Sequence, residues 1–70
     1  MIDPGDIQEQ LDKVPFEPFR MRLVNGVHYD VEHADSITLM DRYAFFAPPK
    51  SGWFILDYGA IVSLESLRDD

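Results

Sequence analysis

Apolar and polar residues alternate strictly on either side of Asn25-Gly26. Phe19, Met21 and Leu23 precede that pair and Val27, Tyr29 and Val31 follow it, interleaved with Arg20, Arg22, His28 and Asp30. A period of two marks a half-buried strand, and Asn-Gly between two such runs marks a hairpin. Burial then selects the loop. A two-residue loop, Asn25-Gly26, would set Leu23 against His28 and Met21 against Asp30, mixing apolar and charged groups on one face. A three-residue loop, Val24-Asn25-Gly26, sets Leu23 against Val27, Met21 against Tyr29 and Phe19 against Val31. One face is then wholly apolar, which specifies the register. The turn is a type I turn closed by a bulge, with Gly26 at positive φ. All six apolar side chains are expected to point inward, and the opposite face brings Arg20 across from Asp30 and Arg22 across from His28.

Ahead of this ribbon, Ile7, Leu11 and Val14 fall at helical spacing, predicting a short helix over residues 3–13 with one apolar stripe. Asp3 is its candidate N-cap, Pro4 occupies the first helical position, and Asp6 stands near the positive end of the helix dipole. So narrow a stripe cannot hold an isolated helix of this length, so it is expected to lie on the sheet as a lid. Pro15-Phe16-Glu17-Pro18 ends the helix as a stiff connector, its prolines biasing their predecessors toward extended geometry, with Phe16 and Phe19 as anchors.

After a turn at Ala34-Asp35-Ser36, Ile37–Met40 reads as a strand and Tyr43–Ala47 as its hairpin partner. Two registers stay open: Ile37 opposite Phe46, or Leu39 opposite Phe45. Pro48 to Gly52 is a loop with a breaker at each end. Trp53–Leu56 is continuously apolar, the pattern of a strand covered on both faces. Beyond Tyr58-Gly59-Ala60, residues 61–67 read as a last strand, although Ile61, Leu64 and Leu67 also fit helical spacing, and Arg68-Asp69-Asp70 is expected to fray. The expectation is a single domain over residues 1–70, mainly β: a short N-terminal helix, then a five-stranded, strongly bent antiparallel small barrel of SH3 or Sm type over residues 19–67.

Composition changes what such a fold is expected to do. Thirteen acidic against six basic residues give a formal charge of -7, so RNA or an acidic membrane meets a repulsive average field. With no cysteine, neither a disulfide nor a thiolate zinc site supplements the core. No apolar run approaches a membrane span, and the N-terminus lacks the pattern of a signal peptide. A cytoplasmic protein without a membrane association fits these features.

The order of helix, strand, Asn-Gly turn, long second strand, hairpin, tight turn and last strand is similar to the Sm-like fold, including the bacterial Hfq type. Leu23-Val-Asn-Gly-Val27 and Ala60-Ile61 carry that likeness. The resemblance implies a ring that binds RNA, with Arg20, Arg22 and Tyr58 as contacts. Where the Hfq type has a Lys-His pair just before Ala-Ile that helps hold RNA in its central pore, this chain has Tyr58 and Gly59. The chain also resembles short uncharacterised bacterial proteins with a Pro-Phe-x-Pro-Phe-Arg segment, here Pro15 to Arg20, followed by a turn at Asn25-Gly26 and Val31-Glu32-His33. That second resemblance implies no activity.

Catalytic patterns are sparse. His28 and His33 lie five apart and so face opposite sides of one strand; they read as surface histidines, with His33 and Asp35 as the alternative, a half-site for a metal-dependent hydrolase that lacks an evident third ligand. Asp57 and Glu65 read as solvated outward residues, with a carboxylate pair across the last two strands as the alternative. The serines lack a nucleophile-elbow context, no glycine-rich phosphate loop is present, and no cofactor is implied. Surplus apolar residues are the stronger signal. If Phe54 and Leu56 face inward, Trp53 and Ile55 face outward, together with Phe45 or Phe46. Either the helix or the Pro48-Pro49 loop covers them, or they contact a protein. The resulting expectation is a non-enzymatic module that binds a protein partner or copies of itself, a homo-oligomer forming through the edge near Trp53–Asp57. Its contact residues are Trp53, Ile55 and Phe45.

Overall fold

A computed structural model describes residues 2–50 and 52–67. The expected fraying of Arg68–Asp70 lies outside them, as does Ser51 in the expected loop. A helix α1 (Pro4–Leu11) precedes six strands: β1 (Phe19–Leu23), β2 (His28–Val31), β3 (Ile37–Leu39), β4 (Tyr43–Phe46), β5 (Phe54–Asp57) and β6 (Ile61–Ser66). They form two three-stranded antiparallel sheets, ordered β2-β1-β6 and β3-β4-β5.

The expected five-stranded barrel is therefore incorrect. Two short 3-10 turns, Ala34–Ser36 and Tyr58–Ala60, explain the difference. A single bent strand could serve both sheets only if it ran through residues 32–36. There Ser36 turns back instead, its N–H and hydroxyl both donating to the His33 carbonyl at 3.1 and 2.7 Å. Short polar side chains that bond nearby backbone compete with a ladder in this way. At the second turn the Asp57 carboxylate accepts from the Gly59 N–H at 2.9 Å, and β5 and β6 go to different sheets.

The first hairpin has the register set by burial: Phe19 pairs with Val31, Arg20 with Asp30, Met21 with Tyr29 and Arg22 with His28. Leu23 N–H donates to Val27 O at 2.8 Å and Gly26 N–H to Leu23 O at 3.0 Å, with Gly26 at φ 88°. Phe19, Met21 and Val31 are fully buried, and Leu23 and Tyr29 pack against the core. Val27 is the exception, exposed at the hairpin tip. In the second hairpin Ile37 lies opposite Phe46 and Leu39 opposite Ala44, the first of the two open registers. Residues 61–66 are strand, not helix.

The core joins both sheets and the helix: Ile7, Phe19, Met21, Val31, Ile37, Ala44, Phe46, Leu56, Tyr58 and Ile61 are all buried. Ile7 is the helix's contribution, and Asp6 steadies the helix start by accepting from the Asp3 N–H at 3.1 Å. Helix α1 ends at Leu11, two residues earlier than its spacing predicts, so Val14 falls beyond the apolar stripe and is 96% exposed. In the connector, Phe16 meets Phe19 edge to face at 6.2 Å.

Candidate functional site

The outward faces of the two sheets differ in chemistry. On the first sheet, β1 alternation turns Arg20 and Arg22 outward, and each meets a carboxylate on a neighbouring strand. Arg20 Nε and Nη2 donate to Asp30 at 2.8 and 3.3 Å, and Arg22 Nε and Nη2 donate to Glu65 at 2.6 and 3.1 Å. Both pairs are two-pronged, the geometry in which guanidinium and carboxylate match best. The arginine hydrogen bonds hold the Asp30 and Glu65 carboxyls below their usual pKa.

The second sheet turns an apolar face outward. Along β4 and β5, Ala44, Phe46 and Leu56 are buried, which by alternation sends Tyr43, Phe45 and Ile55 to the other side. Phe45 pairs directly with Ile55, and Trp53 stacks on Phe45 with ring centroids 5.8 Å apart and planes 20° off parallel. Trp53 is 64% exposed, Ile55 57% and Phe45 37%. Neither the helix nor the Pro48-Pro49 loop removes them from solvent. Trp53–Leu56 is accordingly not a strand covered on both faces, because the two sheets share one core and each keeps an open side. Met40 and Tyr43 are also exposed and extend the same face. Sequence reasoning missed these two, since their placement depends on the undecided register of the second hairpin.

The structure brings Phe45, Trp53 and Ile55 together but separates the residues of the other candidate sites. Tyr58, named with Arg20 and Arg22 for RNA contact, is buried at 7% exposure, and its hydroxyl donates to the Met40 carbonyl at 2.6 Å. Burial raises its phenol pKa. Its ring therefore offers no open face for stacking on a base, and both arginines are occupied by carboxylates. Asp57 and Glu65 do not form the alternative carboxylate pair: their strands lie in different sheets, Asp57 caps a turn, and Glu65 holds Arg22. The Arg22–Glu65 pair was not legible in the sequence, where 43 positions separate the partners. His28 and His33 are both exposed, and no group of three or more His, Cys, Asp or Glu placed to hold a metal occurs among the described residues. A surface groove of about 530 Å³ is lined by Pro15, Phe16, Glu17, Pro18 and Leu67. No helix among the described residues is long and apolar enough to cross a membrane.

Fold and surface together define a small, mainly β protein of two three-stranded sheets, one faced with ion pairs and the other with aromatic and aliphatic side chains. No family model matches the chain, and searches of curated proteins and of solved structures likewise return no match.

Proposed function

We propose that this is a non-enzymatic protein-contact module, working in the cytoplasm, whose contact surface is the outward face of the second sheet. The observation that carries the reading is the cluster of Phe45, Trp53 and Ile55 on one open face. Contiguous exposed apolar side chains of this kind are characteristic of surfaces that bury themselves against a partner, and aromatic residues dominate the centres of such interfaces. The ion-paired face of the first sheet is already satisfied internally, so it supplies solubility.

The test compares wild-type protein with Trp53→Asp and Ile55→Asp as immobilised baits, alongside light scattering of each in solution. Because both side chains point away from the core, the variants should keep the wild-type circular dichroism spectrum. The wild type is expected to retain a protein partner, another copy included, and each variant to lose at least about tenfold in affinity, the usual consequence of removing a central aromatic or aliphatic anchor. Identical retention and identical mass for all three proteins would overturn the proposal.

A further inference from the structure

We infer that the free edge of β5 accepts an extended, basic segment of another protein as a fourth strand of the second sheet. The inference rests on the contact-surface reading above and specifies its partner. It begins with the direction of backbone groups. Met40 N–H donates to Tyr43 O at 2.9 Å, and Ala47 N–H to Ser36 O at 2.8 Å. Residues 43 and 47 of the β4 segment thus aim their backbone groups at the β3 side. Antiparallel ladders alternate, so Ala44 and Phe46 aim theirs at β5, where their partners are Leu56 and Phe54. The residues between and after these, Ile55 and Asp57, therefore present backbone N–H groups away from β4, at the open side of the sheet.

This edge lacks the usual devices against strand addition. Natural edges are blunted by proline, lysine, bulges or very short length. Strand β3 is three residues long, β2 carries His28 and Asp30, and β6 carries Glu65. Strand β5 instead runs Phe54-Ile55-Leu56 without a charge before Asp57, and its ladder with β4 has no irregularity. An added strand would lay alternate apolar side chains beside Ile55 and Trp53 and place a cation near Asp57.

Charge selects the partner. The protein carries a net -7, and of its basic residues Lys13, Arg20 and Arg22 are already matched with Glu17, Asp30 and Glu65. The average field of the protein is thus that of an acidic molecule, which attracts a basic segment and repels a second copy of itself. Strand addition supplies affinity through main-chain bonds and specificity through alternate side chains.

The probe is a synthetic peptide, acetyl-Lys-Val-Lys-Ile-Lys-Val-Lys-amide, with the glutamate-for-lysine peptide as its control. Amide exchange is read by NMR on the full chain, with and without peptide. The basic peptide is expected to slow exchange at Ile55 and Asp57 at least about threefold, and its affinity to fall about tenfold on raising the salt from 20 to 200 mM, as screening predicts. The Ile55→Pro variant, which removes an outward N–H while leaving the β4 ladder its donors, should keep the fold and lose this protection. Equal protection by the glutamate peptide, or no protection by either, would overturn the inference. So would protection that appears on raising protein concentration alone, which would assign the edge to a second copy. That last outcome would leave the contact-surface proposal standing, whereas indifference of the Trp53→Asp and Ile55→Asp baits would remove that proposal itself.

Discussion

Gly26 is a position where the absence of a side chain decides the backbone. Its φ of 88° lies in the region that L-residues avoid, and no atom lies near where a Cβ would sit. Substitution there tests conformational strain with no steric clash. Gly26→Ala is expected to cost about 1–2 kcal/mol, and Gly26→Asn less, because asparagine tolerates the left-handed region. Urea unfolding should show the midpoint falling with the slope unchanged. An alanine variant as stable as wild type would contradict the assigned turn. Tyr58 illustrates the opposite case, a residue whose role its sequence context misrepresents. Beside Gly59-Ala60 it resembles a ligand contact, yet its hydroxyl is used on the Met40 carbonyl inside the fold. Nothing local in the sequence shows that Met40, eighteen positions away, will be there.

At the scale of elements, each hairpin was legible and the joints between hairpins were not. Residues 19–31 carry a strict alternation and a turn pair, which suffice to fix a local register. Residues 37–46 carry apolar side chains on both faces, so either register buries something, and packing against the first sheet makes the choice. The placement of β6 beside β1 depends on contacts across more than 40 positions, including Arg22 with Glu65. The barrel expectation failed at Ala34–Ser36 and Tyr58–Ala60, where side-chain and backbone bonds to nearby residues interrupt what hydropathy alone would continue. The outward apolar side chains were legible because β5 has more apolar positions than one buried face can absorb. The Arg20–Asp30 bond carries the prediction at this scale. Arg20 holds the Asp30 pKa below its unfolded value, so the stabilisation is complete above the ordinary carboxylate range. It is lost as pH falls through the folded value. Asp30→Asn should be less stable than wild type at pH 7 by under about 1 kcal/mol, a partly exposed pair being screened by solvent. The difference should close on acidification toward about pH 2, since the wild-type carboxylate is then protonated too. Urea unfolding across a pH series reads it, and a difference independent of pH would refute the ion-pair assignment.

For the whole molecule, size is the governing constraint. A chain of 70 residues is near the lower limit at which one core suffices, and the usual stability of about 0.05–0.15 kcal/mol per residue leaves little to spare. Both sheets and α1 meet in one buried cluster, with Ile7 fully enclosed, so the helix is part of the core. Ile7→Ala is expected to cost about 2–5 kcal/mol. Calorimetry should find a large fall in melting temperature with a single cooperative transition, and a separate helix transition would show that α1 is an appendage. The division of the outer surface between two sheets has an evolutionary corollary. The guanidinium pairs that steady the first ribbon and the rings that face outward on the second stand on different strands, with different ladders. If the second sheet's outer face is the contact surface proposed above, exchanging Phe45, Trp53 or Ile55 redirects what the molecule recognises without disturbing Gly26 or the pairing it sets, and recognition diverges while the scaffold is inherited intact.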